Sequence, residues 1–375
     1  MHVETPPHLR LAHWKELNGK FDLIPEQQHV LKVAHDEDPA VVVVAGDVFD
    51  TLEQPPRSAL RTWAWRSQEL VESRSGGRPL FVIPGNRDHA YRMSPNAGLA
   101  RPSGLHRFRE LDRAHEAHGI GGIEFFGFPF HKPGRIGTLA QRHASEANGD
   151  EGSIGDFDYD EAMRWLTKRA LNTRSGQHPC VAVAHAYVDG AEAEGVGEEP
   201  VTLGGTGSVS VDAFDGFNYV ALGHIHRTYP LPGAKHVRYA GGLYPCAFDE
   251  RSDKLITIVE WPDEAVAGTS TATRLVPLRL STEVRTIEEM SFDDRIAAGE
   301  QARRCGDHRV DDFILVSVID RIPIPHASSL LTSLYLNAQF EQRVLDVEIE
   351  RRHDVPDPQN HTVEEMFDAI FRHVN

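Results

Sequence analysis

Residues 219–226 read Tyr-Val-Ala-Leu-Gly-His-Ile-His, an apolar run that breaks at a glycine and delivers two imidazoles, His224 and His226. Three other runs end in a similar way. Val41–Ala45 stops at Gly46-Asp47, Leu80–Ile83 at Pro84-Gly85-Asn86, and Val181–Ala184 at His185. Each run is short, uncharged and apolar, the pattern of a strand buried on both faces of a layered α/β sheet. Potential metal ligands therefore sit at strand ends, on the rim of a core. Asp47 offers a carboxylate able to bridge two cations, Asn86 a neutral oxygen, and His185, His224 and His226 nitrogens that suit manganese, iron or zinc. A single Gly-Asp or Gly-Asn marks only a turn. The set of four, in this order, points to a two-metal phosphoesterase centre.

The order Gly-Asp-x-x-Asp, Gly-Asn-x-Asp, a lone His after a strand, then Gly-His-x-His resembles the calcineurin-like metallophosphoesterase superfamily. The stretches VAVAHAYVDGAE, LGGTGSVSVDAFDGFNYVALGHIHRTYPLPG and YAGGLYPCAFDE further resemble the SbcD family of nuclease subunits, which act on broken DNA with an SbcC-type coiled-coil ATPase. That resemblance covers most of residues 38–260 and, more loosely, the C-terminal third. It implies a layered β-sandwich flanked by helices, with a small α+β C-terminal cap domain.

Two motifs depart from the family pattern. Where the family has Asp-x-His after its first strand, this chain has LRLAHWKEL, with His13 and Lys15 about Trp14. Where the family has Gly-Asn-His-Asp, it has Gly85-Asn86-Arg87-Asp88, and arginine does not release a proton at working pH. The resemblance assigns Asp47, Asn86, His185 and His224 to the second metal, a complete set. For the first metal Asp47 and His226 remain, with His13 as a substitute nitrogen ligand. A carboxylate lost and an ammonium gained nearby predict weaker binding of that ion. Arg87 is placed to neutralise phosphate charge, and His89 is a candidate general acid that titrates near neutrality. Asp50 and Asp88 are expected to orient the ligands. The expected cofactor is a divalent metal, manganese first.

The chain has 375 residues, 40% of them hydrophobic, enough for two or three domains with a sizeable core. Neither a signal peptide nor a membrane span is read in it, so the expected location is the cytoplasm and no membrane partner is expected. Cys180, Cys246 and Cys305 are widely spaced, so reduced structural thiols are expected rather than a disulfide framework. A net charge of −17 argues against a general DNA clamp, because such clamps gain affinity from Lys and Arg on phosphates. DNA contact is therefore expected to be local. Residues 87–113 carry Arg87, Arg92, Arg101, Arg107, Arg109 and Arg113 against only Asp88, Glu110 and Asp112, which makes Arg92, Arg101, Arg107 and Arg109 candidate DNA contacts.

The expected domains are 1–278, the metallophosphoesterase; 279–352, the α+β cap; and 353–375, a linker and helix. A helix is predicted over Tyr159–Leu171. In the cap, helices are predicted over 283–304 and 327–340 and strands over 312–321 and 343–352. In the last segment Thr362 and Glu365 have capping-box spacing, and Val363, Met366, Phe367, Ile370, Phe371 and Val374 share one helical face. That face suits a helix-in-groove contact with the SbcC-type ATPase, or packing on the chain's own cap. A second copy of the chain is a further candidate partner. Three functions follow: a metal-dependent DNA exo/endonuclease subunit, a diverged scaffold of the same complex that has lost chemistry, and a hydrolase of small phosphodiesters or pyrophosphates.

Overall fold

The computed structural model describes residues 24–49, 57–88, 105–107, 113–132, 134–140, 158–192, 207–248, 250, 253–262, 270–280, 283–320, 323–335 and 337–344. The chain divides into two compact units, Met1–Arg285 and Thr286–Asn375.

In the first unit, helices α1 (Ile24–Glu37) and α2 (Arg57–Glu72) accompany a three-stranded parallel sheet of β1 (Val42–Ala45), β2 (Leu80–Ile83) and β3 (Leu105–Arg107). A six-stranded mixed sheet contains β4 (His118–Ile120), β5 (Ile123–Phe128), β6 (Cys180–His185), β7 (Tyr219–Gly223), β8 (Tyr229–Leu231) and β9 (Ala234–Tyr239) in the order β4-β5-β6-β7-β9-β8. Its central neighbours β5, β6, β7 and β9 run parallel. Helix α3 (Tyr159–Thr173) lies between β5 and β6 in sequence, and β10 (Leu255–Glu260) pairs antiparallel with β11 (Ala272–Pro277).

The period of two along each strand sorts side chains into three cores. Phe81 and Ile83 of β2, Val181 and Val183 of β6, and Tyr219 of β7 share one cluster with Ala45, between the two sheets. Leu80 and Val82 turn the other way, onto Trp63, Leu70 and Val71 of α2. Ala182, Ala184, Val220 and Leu222 likewise turn onto Ala162, Met163, Leu166 and Ala170 of α3. The result is two sheets face to face with helices outside, the layered sandwich that the resemblance implies. The complete burial of β6 explains its unbroken apolar reading.

Helix α3 starts where its sequence can satisfy free amides. The Asp158 carboxylate accepts from Glu161 N–H at 2.8 Å, and the Glu161 carboxylate accepts from Asp158 N–H at 3.1 Å. The helix predicted over Tyr159–Leu171 extends to Thr173.

The second unit, with β12 (Val284–Met290), α4 (Phe292–Arg304), β13 (Phe313–Asp320), α5 (Ala327–Leu334) and β14 (Asn337–Val344), corrects three predictions. The helix expected over 283–304 is confined to α4, and 284–290 is a strand. The start is set by Ser291, whose hydroxyl accepts from Asp294 N–H at 3.3 Å. The helix expected over 327–340 ends at Leu334, and the strand expected from 343 begins at Asn337, pairing parallel with β13 from Phe313. Ile314, Val316 and Val318 then pack with Phe292, Ala327, Leu331 and Tyr335 in a core of its own.

The inter-sheet cluster positions the strand ends, so removing its largest fully buried side chain should loosen this unit. Phe81 is fully buried, with its ring centroid 5.5 Å from that of Phe125. Phe81→Ala is expected to lower stability by about 3–5 kcal/mol, read from the urea midpoint at constant slope.

Candidate metal centre

The same parity that buries Val181 and Val183 between the sheets aims His185, next on that face, at the end of β1. Its Nδ1 lies 2.8 Å from the Ala45 carbonyl oxygen. A carbonyl only accepts, so Nδ1 carries a proton, and in the neutral ring Nε2 presents its lone pair. Nε2 lies 2.8 Å from Asn86 Oδ1 and 3.4 Å from Asp47 Oδ2, and the Asn86 oxygen lies 3.2 Å from His224 Nδ1. Four side chains from four strand ends thus converge.

The turns that carry them are tight. Gly46 has φ +93°, Asp47 φ +50° and His224 φ +102°, so three site positions occupy backbone space that L side chains rarely adopt. At Gly85 an added Cβ would overlap Asp47 Oδ1 and the main-chain nitrogen of Asp47, which accounts for glycine there.

Asp88 ties two of the turns together. Its carboxylate accepts main-chain N–H groups from Val48 at 3.0 Å, Phe49 at 2.9 Å and Gly85 at 3.1 Å. Burial, and then repulsion from Asp47, push its pKa up to about 6, against the pull of those three amides. The main-chain N–H of Arg87 donates to Asp47 Oδ1 at 2.9 Å, which leaves Oδ2 facing His185. For His185, burial opposes protonation while the Asp47 carboxylate favours it, with a net rise above the ordinary imidazole pKa.

A divalent cation fits this arrangement. Octahedral ligands at about 2.1 Å stand about 3.0 Å apart, close to the spacings seen around Asn86 Oδ1. Unprotonated, His185 Nε2 would face two oxygen acceptors with no proton between them, and a cation resolves that conflict. It also offsets the mutual repulsion of two buried carboxylates.

His226 differs from its neighbour. Asp47, His224 and His226 line one cavity of about 270 Å³, and His226 Nδ1 meets Glu250 Oε1 at 2.7 Å. Glu250 Oε2 accepts from Lys254 Nζ at 2.8 Å. Burial opposes charge on His226, whereas Cys246 and Glu250 beside it favour charge and hold its pKa well above the usual value. The Cys246 thiol is itself pushed up by burial, so Glu250 supplies the negative charge, with its own pKa held down to about 2 by His226 and Lys254 despite burial.

Asp47, Asn86, His185 and His224 are brought together, with Arg87 and Asp88 against them. His13, Lys15, His89, Asp50, Arg92, Arg101, Arg109 and the helix bearing Val363, Met366, Phe367, Ile370, Phe371 and Val374 lie outside the described residues. Arg107 ends β3, in register with Val82. Arg113 is ion-paired with Glu116 at 2.7 Å, so its charge is largely offset. Cys180 and Cys246 are buried free thiols, and Cys305 is an exposed one. Glu250 and Lys254 were not legible as site residues, because they follow His226 by 24 and 28 positions with no metal-binding motif around them.

This fold and site place the chain in a known class: the family model described as calcineurin-like phosphoesterase matches residues 8–228, and the chain belongs to that family. Divalent metal binding is the family's property. Among curated proteins it is similar to the SbcD subunit of the SbcCD nuclease of Bacillus subtilis (strain 168), 29% identical over 67% of this chain and 65% of that protein. It is also similar to the proteins of the same name from Staphylococcus epidermidis, 23% identical over 63% and 60% of the two chains, and Staphylococcus saprophyticus, 24% identical over 75% and 70%. The chain thus spans just under two thirds of the first two relatives. Among the described residues no helix is long and apolar enough to cross a membrane.

In metal-free protein the raised Asp88 pKa has a defined signature. The folded state holds this proton more tightly than the unfolded state, so its stabilising contribution is complete below about pH 4 and is lost as pH rises through about 6. Comparing urea stabilities of wild type and Asp88→Asn between pH 4 and 7 should show wild type losing more stability across that interval. Parallel curves would contradict it.

Proposed function

We propose that the protein is a metal-dependent DNA phosphodiesterase of the cytoplasm, the nuclease component of a complex with an SbcC-type coiled-coil ATPase. The observation that carries this reading is that Asp47 Oδ2 and Asn86 Oδ1 both lie within 3.4 Å of His185 Nε2, at strand ends of a calcineurin-like phosphoesterase. The likeness to the SbcD proteins of SbcCD nucleases supports DNA as the substrate class and the ATPase as the partner.

Asp47, Asn86, His185 and His224 would hold the better-bound ion, and Asp47 with His226 and His13 a weaker one. When bound, such an ion polarises a phosphoryl oxygen and lowers the pKa of water into the neutral range. The chain's own residues do the rest. Asp88 fixes both ligand turns through three amides, and the Ala45 carbonyl holds the proton of His185 on Nδ1 so that Nε2 faces inward. The Arg87 guanidinium is assigned to phosphate charge, and His89 to proton donation to the leaving oxygen. Arg92, Arg101, Arg107 and Arg109 are the basic residues proposed to meet the DNA backbone.

A second reading, a scaffold protein of the same complex without chemistry, is favoured by His13 and Lys15 standing where the family pattern has Asp and His.

Purified protein with manganese and linear duplex DNA, with and without its ATPase partner, separates the two. Cleavage is expected, with Asp47→Ala reducing it at least about 100-fold. Absence of cleavage in both settings, with activity gained on changing His13→Asp, Lys15→His and Arg87→His, would establish the scaffold instead.

A further inference from the structure

Strand β6 ends at His185, and the chain beyond it is held by three phenol hydroxyls, each bonded to main-chain groups of residues 186–192. Tyr239 donates to the Ala186 carbonyl at 3.0 Å and accepts from Val188 N–H at 2.8 Å. Tyr187 donates to the Ala191 carbonyl at 2.8 Å, and Tyr229 accepts from Glu192 N–H at 2.7 Å.

Tyr239 stands nearest the metal ligands along the chain. It is fully buried in the core against α3, and its neighbours in register are Leu222 of β7 and Tyr229 of β8. From β9 it reaches past β7 to the end of β6, where two small residues, Ala184 and Ala186, line the same core. The ladder between β6 and β7 stops at His185, so the Ala186 carbonyl and the Val188 amide need another partner. One hydroxyl, donor and acceptor at once, serves both. Burial pushes the phenol far above its ordinary pKa, which keeps its proton in place. Stacking on Tyr229, with 5.6 Å between centroids, fixes where the hydroxyl lies.

The residue in the middle of this clamped span is Tyr187. Its ring meets His224 edge-on at 6.2 Å, and His224 meets His185 at 5.4 Å. A single hydroxyl on β9 therefore bears on two imidazoles, on His185 through the adjoining peptide and on His224 through Tyr187. We propose that Tyr239 is a positioning residue that seats the rings of His185 and His224 for the better-bound ion. This rests on the metal-dependent reading above and extends it to the core behind the site. Phenylalanine would fill the same space and leave two buried main-chain groups unmet.

Tyr239→Phe keeps the ring and its stack on Tyr229 but deletes the hydroxyl. Tyr229→Phe is the control, because it deletes a hydroxyl of the same wall whose partner, Glu192, lies beyond the clamped span. NMR of metal-free 15N-histidine protein should show the His185 and His224 ring signals displaced in Tyr239→Phe and unmoved in Tyr229→Phe. Manganese titration of the full chain by calorimetry should find the first about 10-fold weaker at the tighter ion and the second within about three-fold of wild type. Tyr187→Phe, at a half-buried position, frees the ring beside His224 and should displace the His224 signals; it decides the matter where Tyr239→Phe does not fold. Unmoved ring signals, or equal losses of affinity in Tyr239→Phe and Tyr229→Phe, overturn the positioning role, while manganese binding by wild type leaves the function above standing. A wild type that binds no manganese defeats that function, and the ring signals alone then decide whether Tyr239 seats the two histidines.

Discussion

The site depends on one hydrogen bond between sheets, from His185 Nδ1 at the end of β6 to the Ala45 carbonyl at the end of β1, 2.8 Å long. It sets the tautomer of a ring that is almost entirely buried, and it joins the ends of strands from different sheets. Once Nδ1 is committed, Nε2 has only oxygen acceptors for company, Asn86 Oδ1 and Asp47 Oδ2. Protein interiors rarely oppose lone pairs without something positive between them. The arrangement is intelligible as a coordination shell, and without a cation the Asp47 carboxylate favours a second proton on the ring in its place. Edge-on packing against Phe130, at 6.3 Å between centroids, and His224, at 5.4 Å, keeps the ring from rotating out of it.

Strain is concentrated at the same place. Asp47 and His224 are non-glycine residues at positive φ, a conformation that costs about 1–3 kcal/mol each and persists only where surroundings over-determine it. For Asp47 those surroundings are specific. Its carboxylate accepts the Arg87 amide, while Asp88 pins the amides of Val48 and Phe49 that follow it. The turn after β1 is thus held by the turn after β2, and the motif Gly-Asn-x-Asp serves the geometry of Gly-Asp as much as its own. This gives Asp88 a role that survives the replacement of the preceding histidine by Arg87.

The strand ends were legible because burial on both faces leaves an unmistakable apolar run, and because four such runs in order stop at residues able to hold a metal. Elsewhere the signal was weaker. The segment 284–290 reads Val-Arg-Thr-Ile-Glu-Glu-Met, rich enough in helix formers to be taken as the start of α4, yet it forms β12. Propensity lost to pairing, and the Ser291–Asp294 cap was the local sign that the helix starts later. The α5–β14 boundary was misplaced for a related reason: Leu330, Leu331 and Leu334 continue into Tyr335 and Leu336 without a glycine or proline to mark the end. Glu250 and Lys254 were invisible because contact through the fold, not spacing, brings them to His226.

The two imidazoles of Gly-His-Ile-His show how one turn serves two environments. Ile225 between them is buried in the core packed against α3, so the histidines on either side emerge separately. His224 closes on Asn86 and stacks edge-on with His185 and Tyr187. His226 is drawn instead to Glu250 by an acceptor that has its own buried counter-ion. The Nδ1 of each ring thus meets a different oxygen, Asn86 Oδ1 for His224 and Glu250 Oε1 for His226, although the two rings leave the same short turn.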